Sequence, residues 1–305
     1  MKNNQLVYER ILEEKRQGHD LRINLYKKIE KILGRPVISF YTNFDSSAIL
    51  EDTDVDMLEQ LLGDSDLSKG VTLLINSPGG NILAAERMIK TLQSYSGTKK
   101  YNSIIPKMAM SAAAMVCLGS DKLIMSPTSS LGPIDPQIQE YNHKTEQWER
   151  YSVFYILKSY KILFEKSANL SKKQNLEPYL QALDHYDPKK IEEYKSDMEL
   201  SRDIAVNALK AGMFKTLETD EIKEKIKIFL TPEKTKTHDR CIYASEAMDC
   251  GLNIEMHDVK DNLWKLVSEV NLRIEHSLPG IANIIETKDK SFYRGLAEED
   301  DLDEE

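Results

Sequence analysis

Two short stretches of the sequence combine residue types that could carry out acyl-transfer chemistry. The first is Ser77-Pro78-Gly79-Gly80, which directly follows the apolar run VTLLIN at 71–76. Because glycine has no side chain to shield its N–H group, a Gly-Gly turn lets a ligand approach the backbone closely. A helix that starts after such a turn adds donors where negative charge could develop. A simple tight turn between strand and helix would use the same residues.

The second stretch is MAMSAAA at 108–114, with Ser111 at its centre. A serine among small residues at a strand-to-helix turn can present its hydroxyl to a cleft and leave the next backbone N–H free as an oxyanion donor. The alternative is a buried serine that hydrogen-bonds to its own helix. Taken singly, each stretch leaves both interpretations open.

The elements that must position these residues alternate between strand and helix signals. Strands without polar alternation are typical of a parallel sheet that is buried on both faces. The sequence therefore predicts an α/β layered core. The predicted strands are VISFYT at 37–42, VTLLIN at 71–76, NSIIP at 102–106 and KLIMS at 122–126.

Outside this core the sequence predicts mainly helices. Residues 1–35 should form a helical extension outside the core, and residues 257–290 a C-terminal helix. Strand signals vanish between 144 and 230, so we expect a helical insertion over about 140–236, broken at Asp187-Pro188. The main domain then spans 36–256, and 291–305 is predicted to be an acidic disordered tail.

Composition narrows the class of protein. The chain has 305 residues and a net charge of −9, but the run EEDDLDEE at 298–305 holds most of that charge, and the nearly neutral remainder predicts no nucleic-acid binding. No uncharged apolar stretch reaches the roughly 20 residues needed to span a bilayer, so we expect no stable membrane insertion. The three cysteines lack CxxC spacing and no signal-peptide core is present, which favours a cytoplasmic location. Metal and nucleotide motifs are missing from the sequence, so no cofactor is predicted.

The spacing of several motifs matches a known family. INSPGG at 75–80 is followed by Ser111, 31 residues after Gly80, then by PTSSLGPIDPQ at 127–137 and by the RxxxxxEAxxxGL pattern at 240–252. Over residues 36–256 the chain resembles the proteolytic subunit of Clp protease and its crotonase-fold relatives. It is most similar to the branch called serine dehydrogenase proteinases, which is related to signal peptide peptidase. The resemblance implies a fold of stacked ββα units.

The resemblance also implies roles for particular residues. Ser111 falls at the nucleophile of the family, and the N–H groups of Gly79 and Ala112 fall at its oxyanion donors. Asp135, 24 residues after Ser111, stands where the Clp pattern has histidine, and His238 stands near its acidic position. An exchange of roles between two positions that both approach the serine is coherent, because a triad is defined by geometry rather than by chain order. We therefore predict His238 as general base and Asp135 as the residue that orients it.

Alternatives remain open for these residues. Asp135 before a proline could be a turn residue, and His238 could form a surface pair with Asp239. Signal peptide peptidases use a lysine base, for which the candidates are Lys158, Lys161 and Lys166. A lysine base requires burial that lowers its pKa by several units.

The resemblance implies a serine peptidase that acts on peptides or unfolded proteins and assembles as a homo-oligomer. The run Ala112-Ala113-Ala114 departs from the family, which usually has glycine at one or two of these positions, and the added methyl groups should narrow the groove or tilt the helix. A catalytically silent scaffold or peptide-binding protein of the same fold is therefore one rival function. A crotonase-type acyl-CoA enzyme is the other.

Overall fold

A computed structural model describes residues 6–14, 17–45, 47–96, 100–142, 145–170, 175–238 and 240–296. The strands, numbered in chain order, are β1 (Val37–Thr42), β2 (Val71–Asn76), β3 (Tyr101–Ile105), β4 (Met108–Ala109), β5 (Lys122–Met125), β6 (Ser130–Leu131), β7 (Gln137–Asn142), β8 (Gln147–Ser152), β9 (Ile242–Tyr243), β10 (Ile254–Met256), β11 (Ile281–Glu286) and β12 (Ser291–Gly295).

The helices are α1 (Val7–Glu13), α2 (Ile23–Leu33), α3 (Asp52–Gly63), α4 (Ile82–Tyr95), α5 (Ser111–Leu118), α6 (Val153–Ala168), α7 (Glu177–Leu183), α8 (Pro188–Ala211), α9 (Thr219–Lys225), α10 (Lys227–Leu230), α11 (Pro232–Thr235), α12 (Ala244–Asp249) and α13 (Asn262–Glu275). A short 3-10 helix, His19–Leu21, precedes α2.

The centre of the fold is a seven-stranded sheet in the order β10-β5-β3-β2-β1-β11-β12. The first five of these strands run parallel, and β11 and β12 close the far edge in antiparallel pairing. Every residue of β1, β2 and β3 is buried, as expected for a parallel sheet that is covered on both faces. Helices cover both faces of this sheet, so the predicted α/β fold is confirmed.

Two apolar clusters flank the sheet. On one face, α3, α4, α5 and α8 pack against the strands, and α5 is buried from Ala112 to Leu118. On the other face, α2 and α13 pack together through residues such as Tyr26 and Trp264. The prediction that the N-terminal helices lie outside the core is therefore wrong for α2, because Leu25, Tyr26 and Ile29 face the sheet.

The predicted helical insertion requires a correction at its start. Residues 147–152 form β8, which pairs antiparallel with β7 in continuous register from Gln137↔Ser152 to Asn142↔Gln147. Both strands of this hairpin are largely exposed, so no apolar alternation marked them in the sequence. Between Val153 and Thr235 all the elements that the structure describes are helices. The predicted break at Asp187-Pro188 is confirmed, because α8 begins there and the Asp187 side chain caps it by accepting from Lys189 N–H at 2.8 Å.

The C-terminal part also differs from expectation. Helix α13 is followed by the β11–β12 hairpin, so the predicted tail is wrong for Ser291–Gly295. The hairpin joins the core because β11 pairs with β1 and because the buried Glu286 carboxylate accepts from Arg22 Nε at 2.6 Å. The acidic run at 298–305 lies outside the described residues.

Within the described ranges, no helix combines the length and the apolar character that crossing a bilayer requires.

Candidate active site

The turn after β2 is fixed against the segment that leads into α5. Ser77 N–H donates to Met108 O at 3.1 Å, and Met110 N–H donates to Ser77 O at 2.9 Å. This short parallel bridge runs from the end of the buried strand into the Gly79-Gly80 turn, and Asn81 then caps α4 through its side chain. The two stretches that the sequence singled out are therefore neighbours in space.

Gly79 lies directly against Ser111. Its φ of +102° is a conformation that side-chain-bearing residues rarely adopt. A Cβ atom at this position would lie 2.6 Å from Met110 O, 2.9 Å from Ala112 N and 2.9 Å from Ser111 Cβ. Glycine is required here on both counts, and its missing side chain leaves the space beside Ala112 N–H open.

Ser111 occupies a strained backbone position at the start of α5. Its φ of 49° places a non-glycine residue in the left-handed region, where strain is characteristic of functional sites. The side chain is partly exposed, and its hydroxyl makes no hydrogen bond within the described part of the chain. Because Ser111 begins the helix, the N–H of Ala112 is one of the donors that a helix start leaves without an intrahelical acceptor.

The two glycines differ as backbone donors. Gly79 N–H donates to Ser77 Oγ at 3.1 Å, and that hydroxyl is also bonded to Thr42 Oγ1 at 2.9 Å. Gly80 N–H has no acceptor among the residues that the structure describes. The predicted donor, Gly79, is therefore partly occupied, and Gly80 is a second candidate that the sequence analysis did not consider.

A small second sheet, in the order β4-β6-β9, brings distant parts of the chain together. Strands β4 and β6 are parallel, whereas β9 runs antiparallel to β6. The exits of β4 and β6 and the entry to β9 therefore lie at one end of this sheet. Ser111 follows β4 by two residues, Asp135 follows β6 by four, and His238 precedes β9 by four. The three residues predicted as a triad accordingly leave the same end of one sheet.

Asp135 and His238 are in direct contact. His238 Nδ1 lies 2.8 Å from Asp135 Oδ1, and the side chains are 13% and 0% exposed, respectively. When Nδ1 donates to this carboxylate, Nε2 is the ring nitrogen left as an acceptor. No hydrogen bond joins His238 to Ser111 among the described residues, a looseness that is common in active sites without substrate. Asp239, the other partner considered for His238, lies outside the described residues.

The second oxygen of Asp135 is held by the β7–β8 hairpin. Ser152 Oγ donates to Asp135 Oδ2 at 2.8 Å, and Gln137 Nε2 donates to the same oxygen at 3.0 Å. Ser152 and Gln137 are opposed in the hairpin register. The sequence analysis missed both residues, because their convergence depends on a hairpin that carries no apolar alternation.

Helix α6 also fastens the loop that carries His238. Tyr155 Oη donates to Lys236 O at 3.0 Å, two residues before the histidine. Lys158 Nζ bonds Glu233 Oε1 at 3.2 Å. The hairpin thus contacts Asp135, and α6 contacts the segment that leads to His238.

The candidate lysines lack the burial that a lysine base requires. Lys158 is 46% exposed and paired with Glu233, and Lys161 is 74% exposed and paired with Glu165. Lys166 is also exposed. Because a lysine base has to be buried, the exposure of these three side chains favours histidine over lysine as the base.

The alanine run does not line the groove. Ala112, Ala113 and Ala114 are completely buried in the core cluster around α5. The expectation that their methyl groups narrow the groove is therefore wrong, because all three side chains are packed inside the core and none reaches the surface.

Comparison with known proteins confirms the predicted family over the N-terminal half. Residues 1–146 match the family described as ClpP-like SDH-type serine proteinase. The matched range contains the Ser77–Gly80 turn, Ser111 and Asp135, and it ends before His238. Over these residues the chain is similar to ClpP-like serine proteinases, whereas the motif resemblance extended to residue 256.

Two curated proteins of the archaeon Methanocaldococcus jannaschii are similar over a shorter range. Uncharacterized protein MJ0137 is 34% identical over 110 residues, which cover 36% of this chain and 35% of the relative. Uncharacterized protein MJ1495 is 35% identical over 109 residues, with 36% of this chain and 34% of the relative covered. The similarity thus spans about a third of the length of either relative.

Proposed function

We propose that the chain is a serine peptidase in which Ser111 is the nucleophile, His238 the general base and Asp135 the residue that orients the base. The observation that carries this proposal is the 2.8 Å contact between His238 Nδ1 and the buried Asp135 carboxylate, at the same end of the small sheet as Ser111. The match to ClpP-like serine proteinases supports the same class of chemistry.

The proposed reaction has two acyl-transfer steps. Ser111 Oγ attacks the peptide carbonyl carbon while His238 Nε2 takes the hydroxyl proton, and Asp135 stabilises the imidazolium. Ala112 N–H, together with Gly79 or Gly80 N–H, donates hydrogen bonds to the carbonyl oxygen and stabilises the negative charge that forms on it. Collapse of this intermediate breaks the C–N bond, and the proton on His238 passes to the leaving amine. Water, deprotonated by His238, then hydrolyses the acyl-enzyme and restores Ser111.

The experiment is intact-mass spectrometry after incubation with a fluorophosphonate. The wild type should gain a single adduct, while Ser111→Ala and His238→Ala should gain none. Ser94→Ala and His185→Ala change exposed residues of the same types and should label like the wild type. Cleavage of unfolded casein by the same panel then tests peptidase activity. An adduct that survives in His238→Ala but is lost in Lys158→Ala would reverse the assignment of the base.

The rival functions predict different results. A crotonase-type enzyme would turn over acyl-CoA thioesters without cleaving casein, and it has no need of the Asp135–His238 pair. A silent scaffold would form no adduct even where Ser111 is accessible to solvent.

We further propose that the chain forms a homo-oligomer through the hairpin and the helices that follow it. This region exposes several large apolar side chains, and large exposed apolar patches on a protein surface mark interaction sites. They include Trp148, Ile162, Phe164 and Leu180, which are 69%, 41%, 55% and 50% exposed. Light scattering during gel filtration tests this, because Phe164→Ser with Trp148→Ser should lower the mass to that of a monomer.

A cytoplasmic location is also a proposal, supported by three free thiols.

A further inference from the structure

A polar cleft lies at the amino-terminal ends of the parallel strands, and the candidate active site lies at their carboxyl-terminal ends. Ser77 and Ser111 follow the carboxyl ends of their strands, whereas this cleft is built where the parallel strands begin. Its volume is about 560 Å³, within the range of small-molecule sites. The lining residues are Arg35, Lys100, Asn102, Asp121, Lys122, Gly212, Met213, Lys215, Thr216 and Asn253.

The cleft has an excess of positive charge. Four of its lining residues are cationic and a single one, Asp121, is acidic. Lys215 pairs with Asp121 at 3.3 Å, and Lys122 pairs with Glu255. Arg35 and Lys100 have no carboxylate partner among the described residues. Two cationic side chains of this cleft are therefore not held in ion pairs by the carboxylates that the structure describes.

Two polar side chains in the cleft are also left without hydrogen-bond partners. Nη1 of Arg35 is buried and has no acceptor. Asn102 is 9% exposed, lies on β3 next to Lys122 in register, and its amide makes no hydrogen bond within the described chain. Buried polar groups are nearly always paired, so the unpaired Arg35 nitrogen indicates a missing partner, and the unbonded Asn102 amide is a second donor that lines the same cleft.

The chemistry of that partner follows from the donors. A guanidinium fork, an amide NH2 group and an ammonium group all donate, and they come from two segments, the turn before β1 and the start of β3. A tetrahedral oxyanion offers acceptor oxygens in several directions, and arginine matches it with paired hydrogen bonds. A planar carboxylate has only two oxygens and one charge to meet these groups.

We propose that this cleft binds a phosphate-type oxyanion, held by Arg35, Lys100 and Asn102. The sources are free phosphate or the phosphate group of a small ester. Lys122 and Lys215 lie in ion pairs at the rim and strengthen the positive potential. The site is independent of peptidase chemistry, so it stands or falls separately from the proposed function.

Isothermal titration of the full chain with inorganic phosphate, at constant ionic strength and against chloride, tests the proposal. Saturable binding of one phosphate per chain is expected for the wild type. Arg35→Gln should weaken it at least tenfold, Arg35→Lys should restore part of the loss, and Lys100→Gln should weaken it severalfold. Arg150→Gln removes an exposed arginine of the hairpin and should leave the affinity within twofold.

The variants need a check on folding, for which far-ultraviolet circular dichroism and the melting temperature without phosphate suffice. A parallel titration with ribose 5-phosphate separates the sources: tighter binding than that of phosphate identifies an ester ligand, and equal binding identifies the free ion. The proposal is overturned if the wild type binds neither compound saturably. Equal weakening in Arg35→Gln and Arg150→Gln would also overturn it, because binding would then follow net charge alone.

Discussion

Replacement of Gly79 by alanine tests whether the turn beside Ser111 has the geometry described above. The new Cβ would lie 2.6 Å from Met110 O and 2.9 Å from Ala112 N. Both are backbone atoms, which cannot rotate away as the end of a flexible side chain could. The substitution therefore forces either the turn or the start of α5 to move.

The cost has two parts. An alanine with positive φ costs about 1–2 kcal/mol relative to glycine. Overpacking against a fixed backbone adds about 1–3 kcal/mol. We expect Gly79→Ala to lower the free energy of unfolding by about 2–5 kcal/mol, which a domain of ordinary stability survives.

Gly34→Ala is the matched control. Gly34 also has positive φ, +70°, but a Cβ there would meet no atom within 4 Å. It should cost only the backbone part, about 1–2 kcal/mol, so the difference between the two variants isolates the steric part. Urea denaturation at equilibrium measures both values.

The same variant also probes the site. If the alanine blocks Ala112 N–H, the rate of fluorophosphonate labelling should fall about 10²–10³-fold, the usual cost of losing an oxyanion donor. Gly34→Ala should label at the wild-type rate. A Gly79→Ala variant that is no less stable than Gly34→Ala, or that folds and labels at the wild-type rate, would contradict the close contact between Gly79 and Ser111.

Three further predictions follow from particular contacts. Ser152→Ala removes one hydrogen-bond donor to the buried Asp135 carboxylate. Because one hydrogen bond is worth about 1 kcal/mol, kcat for casein cleavage should fall about fivefold with little change in KM. An unchanged kcat would contradict this. Burial raises the pKa of the Cys117 thiol, so iodoacetamide at pH 8 should modify the partly exposed Cys241 and spare Cys117 in the native protein, as peptide mass spectrometry would show. The hydrogen bond from Arg273 lowers the pKa of Glu14 below its ordinary 4.5, so this carboxylate stabilises the fold above pH 4.5 and stabilises it less as the pH falls. Urea titrations should therefore find Glu14→Gln less stable than the wild type at pH 7, with a smaller difference at pH 3.

Some predictions failed where local patterns carried no signal. Strand β8 has neither an apolar face nor a buried one, so its pairing with β7 could not be read from periodicity. Strands β11 and β12 were assigned to a helix and a tail, because their place at the sheet edge depends on pairing with β1, far away in the chain. Helix α2 has the amphipathic pattern that was predicted, but the pattern does not tell which partner covers its apolar face.

Local periodicity and short spacings were enough to predict the alternation of buried strands and helices, the similarity of the N-terminal part to a known family, and the positions of the Gly79 turn and Ser111. The family resemblance predicted that Asp135 orients His238, and the fold brings these two side chains, 103 positions apart in the chain, into contact. Local patterns gave no sign that Ser152 and Gln137 hold the second carboxylate oxygen, or that Gly79 N–H donates to Ser77 while Gly80 N–H has no acceptor among the described residues. Hydrogen bonds and strand pairing act over a few ångströms in space, whatever the separation in sequence. Such contacts exist only once the sheets have brought their ends together.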